Sequence, residues 1–219
     1  MKKVNDIKSE LVLKYNNDDF VIDKTGVKMI ELLGESFIAD EESIFGKVNK
    51  DYVQKELDWY KSKSLYVYDM PDPPEIWKMV ADYNGYINSN YGWVIFDQEN
   101  GYQYNHALNT LKLHKDTRRS IMIYNRPSMQ VEFNKHEMSD FMCTNAVTYF
   151  IRDDKLNCVV QMRSNDAVFG YKNDRFWQNW VLNKLLEDLL DVYPNLKIGD
   201  IIWNAASMHI YERHFNLIK

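Results

Sequence analysis

Cys143 is the residue in this chain whose chemistry is easiest to put to use. It is one of two cysteines among 219 residues and stands just before an apolar strand pattern. A second strand pattern follows, and then the polar run Arg163-Ser164-Asn165-Asp166. A thiolate is a strong nucleophile when a positive neighbour lowers its pKa. An arginine followed by small polar side chains suits an anion. A core needs no such run. On residue types alone Cys143 stands either as a nucleophile or as a structural thiol. Cys158 alternates with Leu156, Val160 and Met162 and reads as core.

Other groups carry possible chemistry at a distance in sequence. Glu56 lies four after Tyr52 and four before Tyr60, at the edge of a helical apolar stripe. A carboxylate there is either partly buried, with a raised pKa suited to proton transfer, or a surface glutamate. Arg118 and Arg119 are adjacent. They suit a phosphate clamp, a carboxylate of another subunit, or plain solvent. Lys24 and Lys28 read equally well as solvated lysines. Several familiar chemistries are excluded. There is no Gly-x-Ser-x-Gly elbow, dinucleotide glycine fingerprint or ATPase-type phosphate loop. The histidines at 106, 114, 136, 209 and 214 make no His-Glu-x-x-His pair or zinc cluster, so no metal is expected.

The elements that must position these groups follow from periodicity. Residues 4–17 read as a helix with Ile7, Leu11 and Leu13 apolar, and 27–40 as extended chain broken near Gly34. Residues 47–61 are a helix on Val48, Tyr52, Val53, Leu57 and Tyr60. Pro-Asp-Pro-Pro at 71–74 separates elements, residues 75–85 restart a helix, and the stretch from Ile87 to Phe96 turns into extended chain. Residues 101–114 fit a helix, and the arginine pair precedes a short strand. Residues 145–152 and 156–163 form a hairpin across Asp153-Asp154-Lys155. Residues 175–191 are a buried helix, with Asp174 as its cap. One or two strands close the chain.

The length fits one large domain or two small ones. The net charge of -5 argues against a general nucleic-acid binder. No apolar run of about 18 residues exists to span a membrane, and no secretory leader is visible. Two cysteines are no disulfide framework, which points to a reducing, intracellular setting.

In order along the chain stand DKTGVK, KELDWYKSKSL, NSNYGW, RRSIMIYNRPSMQ, SDFMCTN, MRSNDAVFG and HIYERHF. With these motifs the chain resembles the thymidylate synthase superfamily, and within it the deoxycytidylate (dCMP) hydroxymethylase branch of T-even bacteriophages. The likeness runs from about Asp18 to Lys219. It implies an α+β fold: a large twisted mixed sheet packed by helices, its back face a homodimer interface, in a single catalytic domain over residues 1–219. Family members continue past the point matching Lys219, so the resemblance implies a C-terminal closing segment that is absent or omitted here.

The resemblance also implies roles. The Cys143 thiolate adds to C6 of the pyrimidine, and C5 takes the one-carbon unit of 5,10-methylenetetrahydrofolate. Water then gives 5-hydroxymethyl-dCMP and tetrahydrofolate. Arg163, Ser164 and Asn165 fall on the substrate side, with Arg163 also lowering the Cys143 pKa. Lys24 joins them at the phosphate, as do Arg118 and Arg119 from the partner of a homodimer. Glu56 organises water and moves protons. His209 and Tyr211 hold the deoxyribose, and Trp77, Asp166 and Gly170 face the folate. Tyr91 stands near the nucleophile. Asp174 takes the place of an asparagine that reads uracil and favours cytosine, and Thr144 and Asn145 follow the hydroxymethylase pattern. Reduction instead of hydration would make a pyrimidine C5-methylase; a silent nucleotide-binding homologue is the third reading. The branch places the protein in the cytoplasm of an infected bacterium, without direct contact to nucleic acid or membrane.

Overall fold

Asp153 and Asp154 both adopt left-handed backbone, φ 51° and 53°, as a two-residue hairpin of the primed type demands. Aspartate tolerates that region better than most residues. The turn joins strands on either side of it and fixes the register of the sheet that holds many of the candidate residues. A computed structural model describes residues 1–218; Lys219, the last residue of the expected single domain, lies outside them. The chain forms two compact units: Met1–Val48 together with the chain from Tyr149 onward, and Asn49–Thr148.

The first unit opens with β1 (Lys2–Lys3) and α1 (Val4–Asn16), whose Val4, Ile7 and Leu11 are buried. Leu13 is 59% exposed instead of joining them, because its helical position points away from that stripe. β2 (Val21–Ile22) pairs with β3 (Lys28–Ile38). β3 is not broken at Gly34. The glycine takes φ 70°, and pairing continues on both sides, from Leu33↔Ser207 to Glu35↔Ala205. Only the loss of a Cβ makes that conformation cheap inside a strand.

The second unit begins with α2 (Lys50–Ser62), capped by the Asn49 side chain, which accepts from Tyr52 N at 3.1 Å. α3 (Glu75–Val80) is shorter than the expected 75–85 helix; a turn held by the Asp82 carboxylate on Asn84 N and Tyr86 N ends it. The stretch expected to be extended is instead α4 (Tyr91–Phe96). Its aromatic and β-branched composition suggests strand, but Asn90 caps it by accepting from Trp93 N at 2.8 Å. Buried Asn90 also donates to the carbonyls of Trp59 and Ser64. α5 (Gln103–Leu113), β4 (Ile121–Ile123) and α6 (Met129–Glu132) follow, and β4 pairs antiparallel with the first residues of β5 (Thr144–Arg152).

β5 carries the chain back into the first unit and through the hairpin into β6 (Lys155–Met162). There β7 (Asn165–Asp166), α7 (Gly170–Leu189) and β8 (Lys197–Tyr211) complete the chain before a short 3-10 segment. β8 is antiparallel to β3 and parallel to β6 and β7, so the sheet is mixed. α7 covers it with Trp177, Val181, Leu185 and Leu189, packed on β6 and β8. The helix starts five residues earlier than expected. Asp174 is therefore inside it and is no cap; Asp166 serves the helix entry, its Oδ1 accepting from Val168 N and Phe169 N.

In the second unit α4 lies on α2 at a point where only glycine fits. A Cβ on Gly92 would stand 1.7 Å from the Tyr60 carbonyl oxygen and 2.5 Å from its carbon. Backbone cannot yield as a flexible side chain does. Gly92→Ala is expected to cost about 3 kcal/mol, the upper end for overpacking, measured as a lowered urea midpoint with an unchanged m-value.

Candidate functional site

Each unit carries its own set of candidate side chains. In the second unit Glu56 projects from α2, only 5% exposed. One turn earlier, Tyr52 donates its hydroxyl to Glu56 Oε1. Trp77 of α3 directs its indole N–H at the same oxygen at 3.2 Å, and at the Tyr52 oxygen at 3.1 Å. Burial disfavours the charged form, while the two donors favour it. Burial wins, and the Glu56 carboxyl is pushed up to about 7. A group poised there can both give and take a proton near neutrality. Trp77 thus serves Glu56 directly.

Cys143 is half-buried and immediately precedes β5. The loop before it is pinned by buried Asp140, whose carboxylate accepts from Asn88 N at 2.7 Å, Ser89 N at 2.8 Å and Ser89 Oγ at 2.6 Å. After it, buried Thr144 donates to the Tyr91 hydroxyl at 3.0 Å. Tyr91 is itself wedged between Tyr60, stacked at 5.2 Å, and Tyr124, edge-on at 5.1 Å. Anchors on both sides thus hold the cysteine. Cys158, in the first unit, differs sharply. It is fully buried and its thiol is pushed up to about 12 by desolvation. Arg118 and Arg119 are exposed, ahead of β4.

In the first unit β7 and the start of α7 assemble the second set. Asn165 is buried and joins Asp174 by Nδ2–H to Oδ2 at 2.9 Å. Its Oδ1 accepts from Trp203 Nε1 at 3.1 Å. Arg163 and Ser164, just before β7, are half-buried. Gly170 leaves room where a Cβ would stand 3.2 Å from Asn165 Nδ2 and 3.4 Å from Asp166 Cβ. Asp166 faces His209 across the β7–β8 ladder. Lys24 is exposed on the turn that Asp23 closes by accepting from Thr25 N and Val27 N.

His209 is buried, which lowers its pKa despite the Asp166 and Glu31 carboxylates nearby. Its ring is neutral at neutral pH. Ser207 donates its one hydroxyl hydrogen to Glu31 Oε1, so its contact to His209 Nδ1 at 3.3 Å must be accepted by the serine oxygen. That assigns the proton to Nδ1 and leaves Nε2 as an acceptor, a form suited to receiving a bond from a hydroxyl. Tyr211 lies edge-on to the same ring at 5.0 Å.

Several working residues carry no sequence signal of their own. Glu31 and Ser207 meet only through pairing of β3 and β8. Asp140 is one acidic residue among many until its three donors converge. The link of Asn165 to Asp174 spans nine residues between a strand and a helix and leaves no periodic trace. Tyr52 alone was visible, by its four-residue spacing from Glu56.

The thymidylate synthase family profile matches residues 14–219. The chain is 56% identical over 218 residues to the deoxycytidylate 5-hydroxymethyltransferase of Enterobacteria phage T4, covering 98% of this chain and 89% of the relative. It is 25% identical over 225 residues to a thymidylate synthase of Francisella tularensis subsp. holarctica, covering 94% of this chain and 80% of that one. The solved structure of thermostable thymidylate synthase A from Bacillus subtilis matches with TM-score 0.72 at 20% identity, over 99% of this chain and 83% of its own. That last likeness speaks for the fold alone. With the family profile covering nearly its whole length, this chain belongs to the thymidylate synthase family.

Proposed function

We propose that this chain transfers a hydroxymethyl group to C5 of deoxycytidylate, with 5,10-methylenetetrahydrofolate as one-carbon donor and tetrahydrofolate as coproduct. The observation that carries the reading is the 56% identity to the phage T4 hydroxymethyltransferase over 98% of this chain. The Cys143 thiolate adds to C6 of the base, which makes C5 electron-rich and able to bond to the donated carbon. Loss of the C5 proton then expels tetrahydrofolate and leaves the donated carbon as an exocyclic methylene at C5; water adds to that carbon, its proton passes to Glu56, and elimination of the thiolate restores the ring. The roles of the other residues follow. Arg163, Ser164 and Lys24 bind the 5'-phosphate, with Arg118 and Arg119 reaching it from the partner of a homodimer. Neutral His209, with Tyr211, accepts from the 3'-hydroxyl. Trp77, Asp166 and Gly170 face the folate. Asp174 reads cytosine. The phage origin of the relatives supports work in the cytoplasm of an infected bacterium.

Wild-type protein given tritiated dCMP and methylenetetrahydrofolate is expected to release tritium from C5 and leave tetrahydrofolate. Dihydrofolate as coproduct would instead mark reduction, hence a C5-methylase; no release from folded, nucleotide-bound protein would mark a silent homologue. Cys143→Ser is expected to cut release at least about a thousand-fold while nucleotide binding persists.

Glu56 gives the reaction its pH dependence. Its carboxyl titrates near 7 in the folded chain against 4.5 ordinarily. Tyr52→Phe removes a donor that favours the charged form, so the pH limb of kcat assigned to Glu56 is expected to move upward; in Glu56→Gln it should vanish. The same shift acts on stability. The folded state holds this proton more tightly than the unfolded chain does, so the associated stability is present below 4.5 and is lost as pH rises through 7. Urea midpoints of Glu56→Gln relative to wild type should therefore be more favourable at pH 8 than at pH 5. A constant difference would sink the assignment.

A further inference from the structure

Asn165 follows the phosphate-directed pair in sequence, yet it is only 2% exposed and both ends of its amide are engaged inside the first unit. An indole nitrogen is a donor only. The amide atom that faces Trp203 Nε1 at 3.1 Å must therefore be the oxygen. This chemistry removes the usual ambiguity of an amide's orientation. The nitrogen is then turned onto Asp174 Oδ2 at 2.9 Å. Trp203 has no freedom to reverse the arrangement. It is fully buried on β8 and lies edge-on to Tyr171 at 5.3 Å. Gly170 supplies the space, since a Cβ there would crowd Asn165 Nδ2 at 3.2 Å.

We propose that Trp203 and Asn165 form a polarity lock on Asp174, which makes Asn165 a positioning residue for choosing cytosine over uracil. The inference rests on the base-reading role given to Asp174 above. An N–H aimed at Oδ2 disfavours a proton on that oxygen, so any proton on the carboxyl sits on Oδ1. Cytosine presents a bare N3 and a 4-amino group. In the proposed lock Oδ2 is set toward the 4-position of the base, so that Oδ1–H donates to N3 and Oδ2 accepts from the amine. Uracil presents N3–H and a 4-carbonyl, and it needs the reverse: an accepting Oδ1 and a proton on Oδ2. The lock sets that proton against the Asn165 N–H. A carboxyl free to carry its proton on either oxygen would accept both bases. Asp174 alone therefore gives no sharp choice; the fixed amide beside it does.

Asn165→Asp tests this with no change of shape. The new carboxylate keeps an oxygen for Trp203 but turns an acceptor toward Asp174, so the shared proton can ride on Asp174 Oδ2. Asn165→Ala removes the donor without adding charge and covers the case in which the acidic variant fails to fold. Thermal melts establish which variants fold. Affinities for dCMP and dUMP are read by calorimetry, and kcat/KM for each by tritium release with methylenetetrahydrofolate. The dCMP-over-dUMP ratio is expected to fall about 10- to 100-fold in Asn165→Asp and about 10-fold in Asn165→Ala. A proportional loss for both nucleotides, with the ratio unchanged, would mean a merely structural amide and overturn the lock. Wild-type protein that binds dCMP without turning it over would defeat the proposed reaction, yet the binding ratios would still decide the lock. Wild-type protein that binds neither nucleotide would overturn both.

Discussion

The backbone pairing of β8 is the constraint on which the first unit depends. Over Lys197–Tyr211 the strand is paired antiparallel to β3 and parallel to β6 and β7. A one-residue slip would send every side chain to the other face. In the observed register Trp203 reaches Asn165, Ser207 sits opposite Leu33, and His209 sits opposite both Glu31 and Asp166. The Ala167 amide donates to the His209 carbonyl at 2.7 Å, which ties the entry of α7 to the same strand. No side chain in this group could be placed without the ladder.

Burial then turns ordinary groups into specific ones. Glu56 and Cys158 are both desolvated, and both are pushed toward the neutral form. The outcomes differ because of what surrounds them. Glu56 keeps two donors, and its carboxyl comes to rest near 7, where proton transfer works in both directions. Cys158 has no comparable donor and is pushed up to about 12, so it stays an inert thiol. Cys143, by contrast, is only half-buried, at the head of β5.

Local pattern carried much of the fold into the sequence. The hairpin, α2, α5 and the body of α7 were all legible, because period and turn chemistry agreed there. The failures had tertiary causes. Tyr91–Phe96 reads as strand by composition, but Asn90 caps it and Gly92 presses it onto the backbone of Tyr60. Asp174 looked like a cap because the apolar period starts after it; the true entry is polar and is served by Asp166. Glu56 was legible as a candidate because its spacing to Tyr52 is local. Asp140, Glu31 and Ser207 were not, since their partners lie far away in sequence. For most candidate residues the motifs supplied the role and periodicity did not.

A common device runs through both sets of side chains: a hydrogen that cannot be inverted decides where a titratable proton goes. The Trp77 indole holds Tyr52 and Glu56 in one arrangement, and the Trp203 indole holds Asn165 in one orientation. Glu31 takes the only hydroxyl hydrogen of Ser207 and so selects the His209 tautomer. Carboxyls and imidazoles alone are ambiguous, because each can present a donor or an acceptor at either atom. An indole N–H is not ambiguous. Placing such a fixed hydrogen behind a versatile group converts a residue that can do several things into one that does a single thing, and it does so before any substrate arrives. That preorganisation needs tryptophans with fixed partners, supplied here by half-buried Trp77 and by Trp203 in the core.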